Sequence, residues 1–158
     1  MNNPKLKICN KSPHENPSYA KPGDSGMDLR AWIEPTENKI FHSITLKPLE
    51  RRLIHTGIYV EIPEGYEIQV RPKSGQALKK GITVLNSPGT VDVNFRGEIC
   101  VIINNLSNDN VTIEDGEKIA QMVMCPVQHE GLVSIEYVDE ISTDTERGAG
   151  GFGHTGIH

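Results

Sequence analysis

Asp92 is the residue in this sequence whose neighbours most strongly suggest chemistry. It stands among the strand-forming residues Thr90, Val91 and Phe95, although aspartate is a poor strand residue. Two interpretations fit. Asp92 could lie on a solvated strand face, which is the commoner role of an isolated aspartate. It could instead line a pocket as a general base, with the Phe95 ring forming a wall for a planar or sugar-like ligand. These residues alone leave both interpretations open.

Three further segments place polar groups at the ends of predicted elements. Lys73 and Ser74 stand at the start of a predicted helix and could bind an anion, although such a basic turn is more often only solvated. Gln121 is a neutral residue in an apolar run, which fits a satisfied buried amide or a ligand contact. Asp28 begins a predicted strand, where capping and turn roles are common.

The glycine-rich end of the chain, 147–156, invites three interpretations. Three of its glycines match a GxGxxG fingerprint, but a dinucleotide site needs a helix after the glycines, and the sequence leaves no room for one. A disordered tail is the simple alternative. Arg147, Phe152 and His154 favour a flap that closes over a nucleotide, because arginine can grip phosphate and an aromatic ring can stack on a base.

The elements that must position these residues are mostly strands. Fifteen glycines and ten prolines imply many turns and little room for long helices. Only Ser74–Lys80 resembles a helix, with Ser74 as the expected N-cap and Gly81 as the stop. The predicted strands are 5–11, 28–33, 41–46, 53–62, 66–70, 82–85, 90–95, 98–104, 111–113, 118–127 and 132–138. This pattern predicts one all-β domain, as a sandwich, jelly roll or barrel.

Composition excludes several classes of protein. The net charge of −5 and pI near 5.7 argue against nucleic acid as the main partner, because binding a phosphate backbone needs a clustered basic face. Cys9, Cys100 and Cys125 form no CxxC pair, so reduced thiols are expected. The longest apolar run, Ile99–Ile103, should be buried on both faces, and it is too short to span a bilayer. With no apolar signal core at the start, we expect a cytoplasmic protein with no membrane partner.

Taken in order, these segments resemble the five motifs of trimeric dUTP diphosphatases, the dUTPases. The motifs are Ser25–Leu29, Arg71–Gly75, Gly89–Glu98, Gly116–Met122 and Arg147–Gly156. The resemblance covers 25–156, and its third and fifth motifs together are highly specific. It implies a jelly-roll-like distorted barrel with one short helix, formed by 1–146, and a flexible glycine-rich flap at 147–158.

The resemblance also implies an activity and an assembly. The activity is hydrolysis of dUTP to dUMP and pyrophosphate, which lowers dUTP and supplies dUMP for thymidylate synthesis. The assembly is a homotrimer with three sites at subunit interfaces. The implied cofactor is Mg²⁺, held mostly by the triphosphate and waters, which suits a sequence without a cage of carboxylates.

Individual residues take their roles from the resemblance. Asp92 would activate the water that attacks the α-phosphorus, and Phe95 would pack on the deoxyribose and exclude a 2′-hydroxyl. The residues that would read uracil, largely through backbone groups, are Asn86, Thr90, Val91 and Asp92. Cys100 falls on a position that lines this pocket, although a small buried hydrophobe could simply be core.

The phosphates would be bound by other motifs. The second and fourth motifs supply Lys73, Ser74, Gly75 and Gln121. The flap supplies Arg147, Phe152, Gly153 and His154, with Phe152 over the base and the others near the γ-phosphate. Asp28 would support either the hydration shell of the magnesium or the second-motif cation, and both roles stay open.

Three residues depart from the usual motifs. Lys73 stands where arginine is usual, so a bidentate fork becomes a point charge. Phe95 replaces a tyrosine, which keeps the stacking face and loses a hydroxyl. His154 occupies a position that is often serine, adding a phosphate contact that is sensitive to pH.

Two other functions fit the same scaffold. A dCTP deaminase shares the fold, but it needs groups that activate water at a base carbon, whereas this sequence keeps the aspartate and fifth motif of a phosphohydrolase. The second alternative is a nucleotide-sensing or interaction protein without catalytic activity, which would not need Asp92 as a general base. Release of pyrophosphate or ammonia distinguishes these functions.

Overall fold

The structure is a computed structural model that describes residues 3–34, 42–128, 131 and 133–150. These residues form eleven strands and one short helix. In chain order they are β1 (Lys7–Asn10), β2 (Gly26–Arg30), β3 (Ser43–Leu46), β4 (Arg51–Ile54), β5 (Ile58–Glu61), β6 (Tyr66–Arg71), α1 (Ser74–Lys80), β7 (Ile82–Val84), β8 (Gly89–Val91), β9 (Val101–Asn105), β10 (Val111–Glu114) and β11 (Lys118–Pro126). The prediction of a mostly β protein with one short helix is confirmed.

All the strand pairs are antiparallel, and they form four small sheets. The largest has the order β2-β11-β6-β8, and a three-stranded sheet has the order β4-β9-β7. β1 pairs with β5, and β10 pairs with β3. Strands far apart in sequence are therefore neighbours, so residues from several motifs can meet at one place.

The core is built from the inward-facing residues of these strands. On β6, Ile68 and Val70 are buried while their neighbours are half-buried, which is the period-2 pattern of a strand with one covered face. The buried apolar residues extend from Met27 to Val123. Asn105 is fully buried, and its amide donates to the carbonyls of Leu46 and Asp109 at 3.1 and 2.8 Å, so its burial leaves no polar group unpaired.

The helix has the predicted bounds, Ser74–Lys80, but its N-cap residue differs from the prediction. Lys73 occupies the N-cap in an extended conformation and makes no side-chain capping hydrogen bond, so Ser74 is the first helical residue rather than the cap. Gly81 ends the helix as predicted. It has φ +67°, and its N–H donates to the Ala77 carbonyl at 3.1 Å, a left-handed C-terminal conformation that glycine adopts without strain.

The predicted strands 53–62 and 132–138 differ from the structure. The predicted strand 53–62 is interrupted between β4 and β5 at Gly57, which has φ +70° and lies so close to Ser12 and Trp32 that a Cβ atom would overlap them. The predicted strand 132–138 is absent from 133–138, where the chain is irregular and Tyr137 is 93% exposed. β-Propensity without a pairing partner did not produce a strand there.

The predicted burial of Ile99–Ile103 on both faces is only half right. Ile99, Val101 and Ile103 are buried, whereas Cys100 and Ile102 are half-buried. β9 has a neighbour on each side within its sheet, but hydrogen-bonded neighbours cover the strand edges and not its faces. The second face is therefore only partly covered by the described residues.

The chain divides into two compact units, Met1–Val127 and Gln128–His158. The first contains the strands, the helix and the core. In the second, the described residues form local turns, with hydrogen bonds from Thr145 N to Thr143 O and from Gly148 N to Thr145 O at 2.8 and 3.0 Å. Within the described part of the chain, no helix has the length and apolar character needed to cross a membrane.

Candidate functional site

Asp92 lies at the point where β8 ends and a tight turn begins. The Phe95 N–H donates to the Asp92 carbonyl at 3.0 Å, and Arg96 Nη1 donates to the carbonyls of Val93 and Phe95 at 2.7 and 2.8 Å. These bonds fix the turn. The prediction of a strand through 90–95 is therefore wrong, because β8 ends at Val91 and pairs with β6. The Asp92 carboxylate is exposed.

A pocket of about 160 Å³ opens beside this turn. Its lining residues are Thr90, Val91, Asp92, Phe95, Glu98, Ile99 and Cys100. Five of them are predicted site residues, and the structure brings these together. A pocket of this size is below the roughly 300 Å³ typical of small-molecule sites, so it suits one part of a ligand, such as a single base.

Asn86 is the residue predicted to read uracil that does not line this pocket. It lies in the turn before β8, and its side-chain Nδ2 sits 3.1 Å from where a Cβ on Gly89 would be. Gly89 therefore leaves the room that the Asn86 amide needs. In the single chain Asn86 is placed to shape the start of β8, and its contact with a base remains a prediction.

The sequence did not reveal Glu98 as part of the pocket. Its Oε1 accepts hydrogen bonds from the backbone N–H groups of Thr56 and Gly57 at 2.9 and 2.7 Å, and its Oε2 lies 2.9 Å from His55 Nδ1. Partial burial raises the pKa of Glu98, but these hydrogen bonds outweigh the burial and the pKa is lowered. The sequence did offer one signal, because Glu98 stands directly before an apolar run. An acidic residue in that position needs a hydrogen-bonding partner if it is to be buried.

Cys100 is half-buried and lines the pocket, so it does not belong to the closed core. Burial and the neighbouring Glu98 carboxylate raise the pKa of its thiol to about 11. The thiol is therefore protonated at neutral pH and presents a small, weakly polar wall.

A second cluster joins the first, second and fourth motifs. The Asp28 carboxylate accepts hydrogen bonds from Lys73 Nζ, and its Oδ2 lies 2.7 Å from Lys118 Nζ. Partial burial raises the pKa of Asp28, but the hydrogen bonds from Lys118 and Lys73 outweigh the burial and lower it. Lys118 was not singled out in the sequence. Asp28 thus holds two ammonium groups in place, leaving a net positive charge that can meet an anion.

Gln121 belongs to the same cluster through strand register. It lies opposite Asp28 on β2 and opposite Arg71 on β6, and its Nε2 donates to the Pro72 carbonyl at 3.0 Å. Gly26 makes room for it, since a Cβ there would overlap Gln121 Oε1. The Gln121 side chain therefore holds the backbone just before Lys73, and it is only partly buried.

The two clusters lie at opposite ends of one strand ladder. Ile68 on β6 pairs with Val91, and Val70 pairs with Gly89, so the chain leaves β8 towards Asp92 near the start of β6. Lys73 follows the far end of β6. The five positions from Ile68 to Lys73 span roughly 17 Å at about 3.4 Å each. One chain therefore does not place Lys73 beside Asp92.

Ser74 and Gly75 form the exposed first turn of α1. Glu117 of the fourth motif holds this helix in place. Its Oε1 accepts hydrogen bonds from Gln76 Nε2 at 2.7 Å and from Lys80 Nζ at 2.5 Å. Its Oε2 accepts a hydrogen bond from Glu114 N at 3.1 Å. Partial burial raises the pKa of Glu117, but Lys80, the Glu114 N–H and Gln76 together lower it. Glu117 therefore fixes the helix that carries Ser74 and Gly75.

Replacing Glu117 with glutamine is expected to lower the free energy of unfolding by about 1–2 kcal/mol at pH 7. The folded pKa of this carboxyl is below its ordinary value of 4.5. The stabilisation that the Glu117 carboxylate gives to the folded state is therefore fully present above pH 4.5, and it is lost as the pH falls through the folded pKa. Urea unfolding at pH 7 and under acid conditions should show the difference from wild type shrinking on acidification. Glu114→Gln, an exposed carboxylate in the same turn, is the matched control. An equal loss at both pH values would contradict this.

The predicted flap residues are only partly within the described residues. Arg147 is exposed, and its Nε donates to the Gly150 carbonyl at 2.9 Å. Phe152, Gly153 and His154 lie outside the described residues. Their predicted contacts with a base and a γ-phosphate stay predictions.

A larger depression of about 470 Å³ shares Glu98 with the small pocket. Its lining is mainly apolar and aromatic, and consists of Trp32, Ile33, Glu34, Ile44, Leu53, His55, Tyr59 and Glu98. Of these lining residues, only Glu98, the last residue of the third motif, belongs to a predicted motif. Among the described residues, the one group of His, Cys, Asp and Glu side chains spaced to hold a metal directly is His55, Glu98 and Cys100.

Comparison with known proteins shows which proteins this chain is similar to. The family model described as dUTPase matches residues 13–156. A deoxyuridine 5′-triphosphate nucleotidohydrolase from Finegoldia magna is 52% identical over 152 residues, covering 96% of this chain and 99% of that protein. The protein of the same name from Fusobacterium nucleatum is 50% identical over 156 residues, covering 99% of each. Among solved structures, a mutant of the Staphylococcus bacteriophage 80alpha dUTPase with dUpNHpp is 25% identical, with a TM-score of 0.79 and coverage of 97% of this chain and 99% of that one.

Proposed function

The chain belongs to the dUTPase family, and from that premise we propose that it is a dUTP diphosphatase, which hydrolyses dUTP to dUMP and pyrophosphate. The observation that carries this proposal is the pocket at the end of β8, which Asp92 and Phe95 both line. The reaction lowers the dUTP concentration and supplies dUMP for thymidylate synthesis.

The base is read by the backbone of β8. Among the described strands, β8 is at the edge of its sheet and pairs only with β6. An edge strand leaves backbone N–H and C=O groups free. Uracil offers two carbonyl acceptors around one N–H donor, a pattern that backbone groups of Thr90 and Val91 can match. Cytosine replaces the acceptor at C4 with an amino donor and lacks the N3 hydrogen, so the same backbone would face unpaired groups.

The sugar packs on Phe95. Phe95 is 42% exposed as a residue, and its ring lies against Gly97, where a Cβ would come within 2.7 Å of the Phe95 Cζ. Gly97 therefore allows this ring position. A 2′-hydroxyl placed against the apolar ring would lose its water partners without gaining a hydrogen bond, which disfavours UTP.

Asp92 activates the attacking water. Asp92 lines the same pocket as Phe95, and in this proposal the α-phosphate of the bound nucleotide lies beside the Asp92 carboxylate. The carboxylate accepts a proton from the water as the water oxygen attacks the α-phosphorus, and pyrophosphate leaves. The neutral thiol of Cys100 adds no competing negative charge to the pocket.

The phosphates are bound by Lys73, Ser74, Gly75 and Gln121 from a second copy of the chain. The separation of roughly 17 Å along β6 at about 3.4 Å per residue is the support for this, because Lys73 and Asp92 of one chain are too far apart to hold adjacent groups of one nucleotide. A closed homotrimer gives every Asp92 a neighbouring phosphate cluster. Sites at subunit interfaces also explain why Asp92 is exposed in the single chain.

Magnesium is expected to bind mainly through the triphosphate and water. Both oxygens of Asp28 already contact lysine ammonium groups, although a carboxylate retains further lone pairs for water. Mg²⁺ prefers oxygen ligands and keeps several of its waters, which fits Asp28 acting through water. When bound, the ion neutralises charge on the phosphates. Lys73 and Lys118 supply the positive charge of the protein itself.

Incubation with single nucleotides tests the proposed function. The full-length protein with Mg²⁺ should release pyrophosphate from dUTP and leave dCTP intact, and kcat/KM for UTP should be lower by roughly 10²-fold. Pyrophosphate and ammonia are measured in parallel. Release of ammonia from dCTP would identify a deaminase instead, and binding of dUTP without turnover would identify a sensing protein.

A further inference from the structure

His55, Glu98 and Cys100 place three different metal-ligating groups together beside the small pocket. His55 lies between β4 and β5, Glu98 forms an isolated bridge with Tyr59, and Cys100 directly precedes β9. His55 Nδ1 lies 2.9 Å from Glu98 Oε2 and 3.6 Å from Cys100 Sγ. The three donor atoms all lie within 4.8 Å of one another.

These distances are close to those between ligands of one tetrahedral zinc ion. With Zn–N and Zn–O near 2.0 Å and Zn–S near 2.3 Å, tetrahedral angles place nitrogen and oxygen about 3.3 Å apart and nitrogen and sulfur about 3.6 Å apart. The nitrogen–sulfur distance here agrees, and the nitrogen–oxygen distance needs to open by about 0.4 Å by the same geometry. His55 is exposed, so its ring can move by that amount without disturbing the core.

Glu98 is held in position before any ion binds. One of its oxygens accepts the N–H groups of Thr56 and Gly57 at 2.9 and 2.7 Å, while the other points to His55. The anchored oxygen fixes the carboxylate, and the other can exchange a hydrogen bond for a metal bond. Such outer hydrogen bonds orient metal ligands and increase affinity.

We propose that His55, Glu98 and Cys100 form a binding site for a thiophilic divalent cation such as Zn²⁺, with a fourth position open to solvent. On binding, the Cys100 S–H proton passes to solvent as the zinc–sulfur bond forms. The proton that His55 Nδ1 shares with Glu98 moves through solvent to Nε2, which frees the Nδ1 lone pair to bond to the ion. The ion must displace the thiol proton, as it does at other thiolate sites. Mg²⁺ does not compete, because it requires oxygen ligands.

An occupied site would block the base pocket. Glu98 and Cys100 line that pocket as well as forming the cluster, so an ion between them takes space and hydrogen-bonding groups from a bound base. Zinc should therefore raise KM for dUTP. This consequence rests on the proposed function, whereas the metal site does not.

Cobalt titration tests the site without any nucleotide. Co²⁺ added to untagged, nucleotide-free full-length protein should produce a thiolate-to-cobalt absorption band that saturates at one equivalent and disappears when Zn²⁺ is added. Cys100→Ser should abolish the band, and His55→Ala should weaken Co²⁺ binding roughly 10-fold or more. Cys9→Ser and Cys125→Ser are the matched controls and should keep it. No band in excess Co²⁺, or an unchanged band in Cys100→Ser, would refute the site.

A second measurement separates this inference from the proposed function. In saturating Mg²⁺, Zn²⁺ should raise KM for dUTP in the wild type. The zinc concentration that gives half-inhibition should be roughly 10-fold higher or more in His55→Ala. The inhibition of each protein is measured relative to its own activity without zinc. A chain with the cobalt band but no dUTP hydrolysis would overturn the proposed function alone. A chain that hydrolyses dUTP but shows no band would overturn the metal site alone.

Discussion

Asp92→Asn is expected to lower kcat for dUTP by roughly 10²-fold or more while leaving nucleotide binding nearly unchanged. Asparagine has the same shape as aspartate, but its amide cannot accept the proton of the attacking water. The Asp92 side chain is exposed and is not needed for the turn, because the turn is closed by the Asp92 carbonyl and by Arg96. The substitution should therefore remove a chemical step and keep the fold.

Single-turnover kinetics and binding of a non-hydrolysable dUTP analogue separate the two effects. Asp109→Asn is the matched control, since it makes the same chemical change at an exposed carboxylate outside the pocket. It should leave both kcat and affinity unchanged. If Asp92→Asn keeps near-normal turnover, Asp92 is not the general base. If it loses affinity and turnover equally, its role is in binding.

The exposure of Asp92 in one chain is consistent with this chemistry only in an assembly. A general base works best when bulk water is excluded from around the reacting groups, and the small pocket of about 160 Å³ does not provide that shelter. In the proposed homotrimer, we expect the missing walls to come from a neighbouring copy and from the flap. The neighbouring copy would supply its phosphate cluster, and the residues of the flap are predicted to contact the base and the γ-phosphate.

The parts of the fold that sequence predicted well are those with local causes. Gly81 ends the helix because only its own φ matters, and β6 follows from the alternation of its own side chains. The interruption at Gly57 depends on Ser12 and Trp32, which are distant in sequence. The turn after Val91 depends on Arg96 and on pairing with β6. Such causes lie in tertiary contacts that a local pattern does not contain.

The candidate site shows the same division. Asp28, Lys73 and Gln121 were predicted from motif resemblance, and the structure joins them through hydrogen bonds and register. Lys118 and Glu98 were missed, because a lysine and a glutamate beside turns are ordinary surface residues until their partners are known. The separation of Lys73 from Asp92 could not be read from the sequence either, since it follows from the antiparallel register of β6 and β8.

The glycine-rich end of the chain should be needed for activity and not for folding. The buried apolar core extends from Met27 to Val123, so 147–158 contributes no residue to it among those described. Arg147 and Gly150 hydrogen-bond to each other, which makes a compact local turn before the residues predicted to cover the base. A flap of this kind excludes water and orients the phosphates when it closes.

Deleting 147–158 is therefore expected to lower kcat/KM for dUTP on the order of 10²-fold while the β fold and the trimer persist. Circular dichroism and thermal melting test the fold, light scattering tests the assembly, and pyrophosphate release tests the activity. Removal of 157 and 158 alone, which lie beyond the fifth motif, is the matched control and should retain activity. Phe152→Ala in the full chain should reproduce part of the loss if stacking on the base is its cause. Unfolding or dissociation of the truncated chain would show instead that this segment stabilises the structure, and full activity would show that the flap has no part in the reaction.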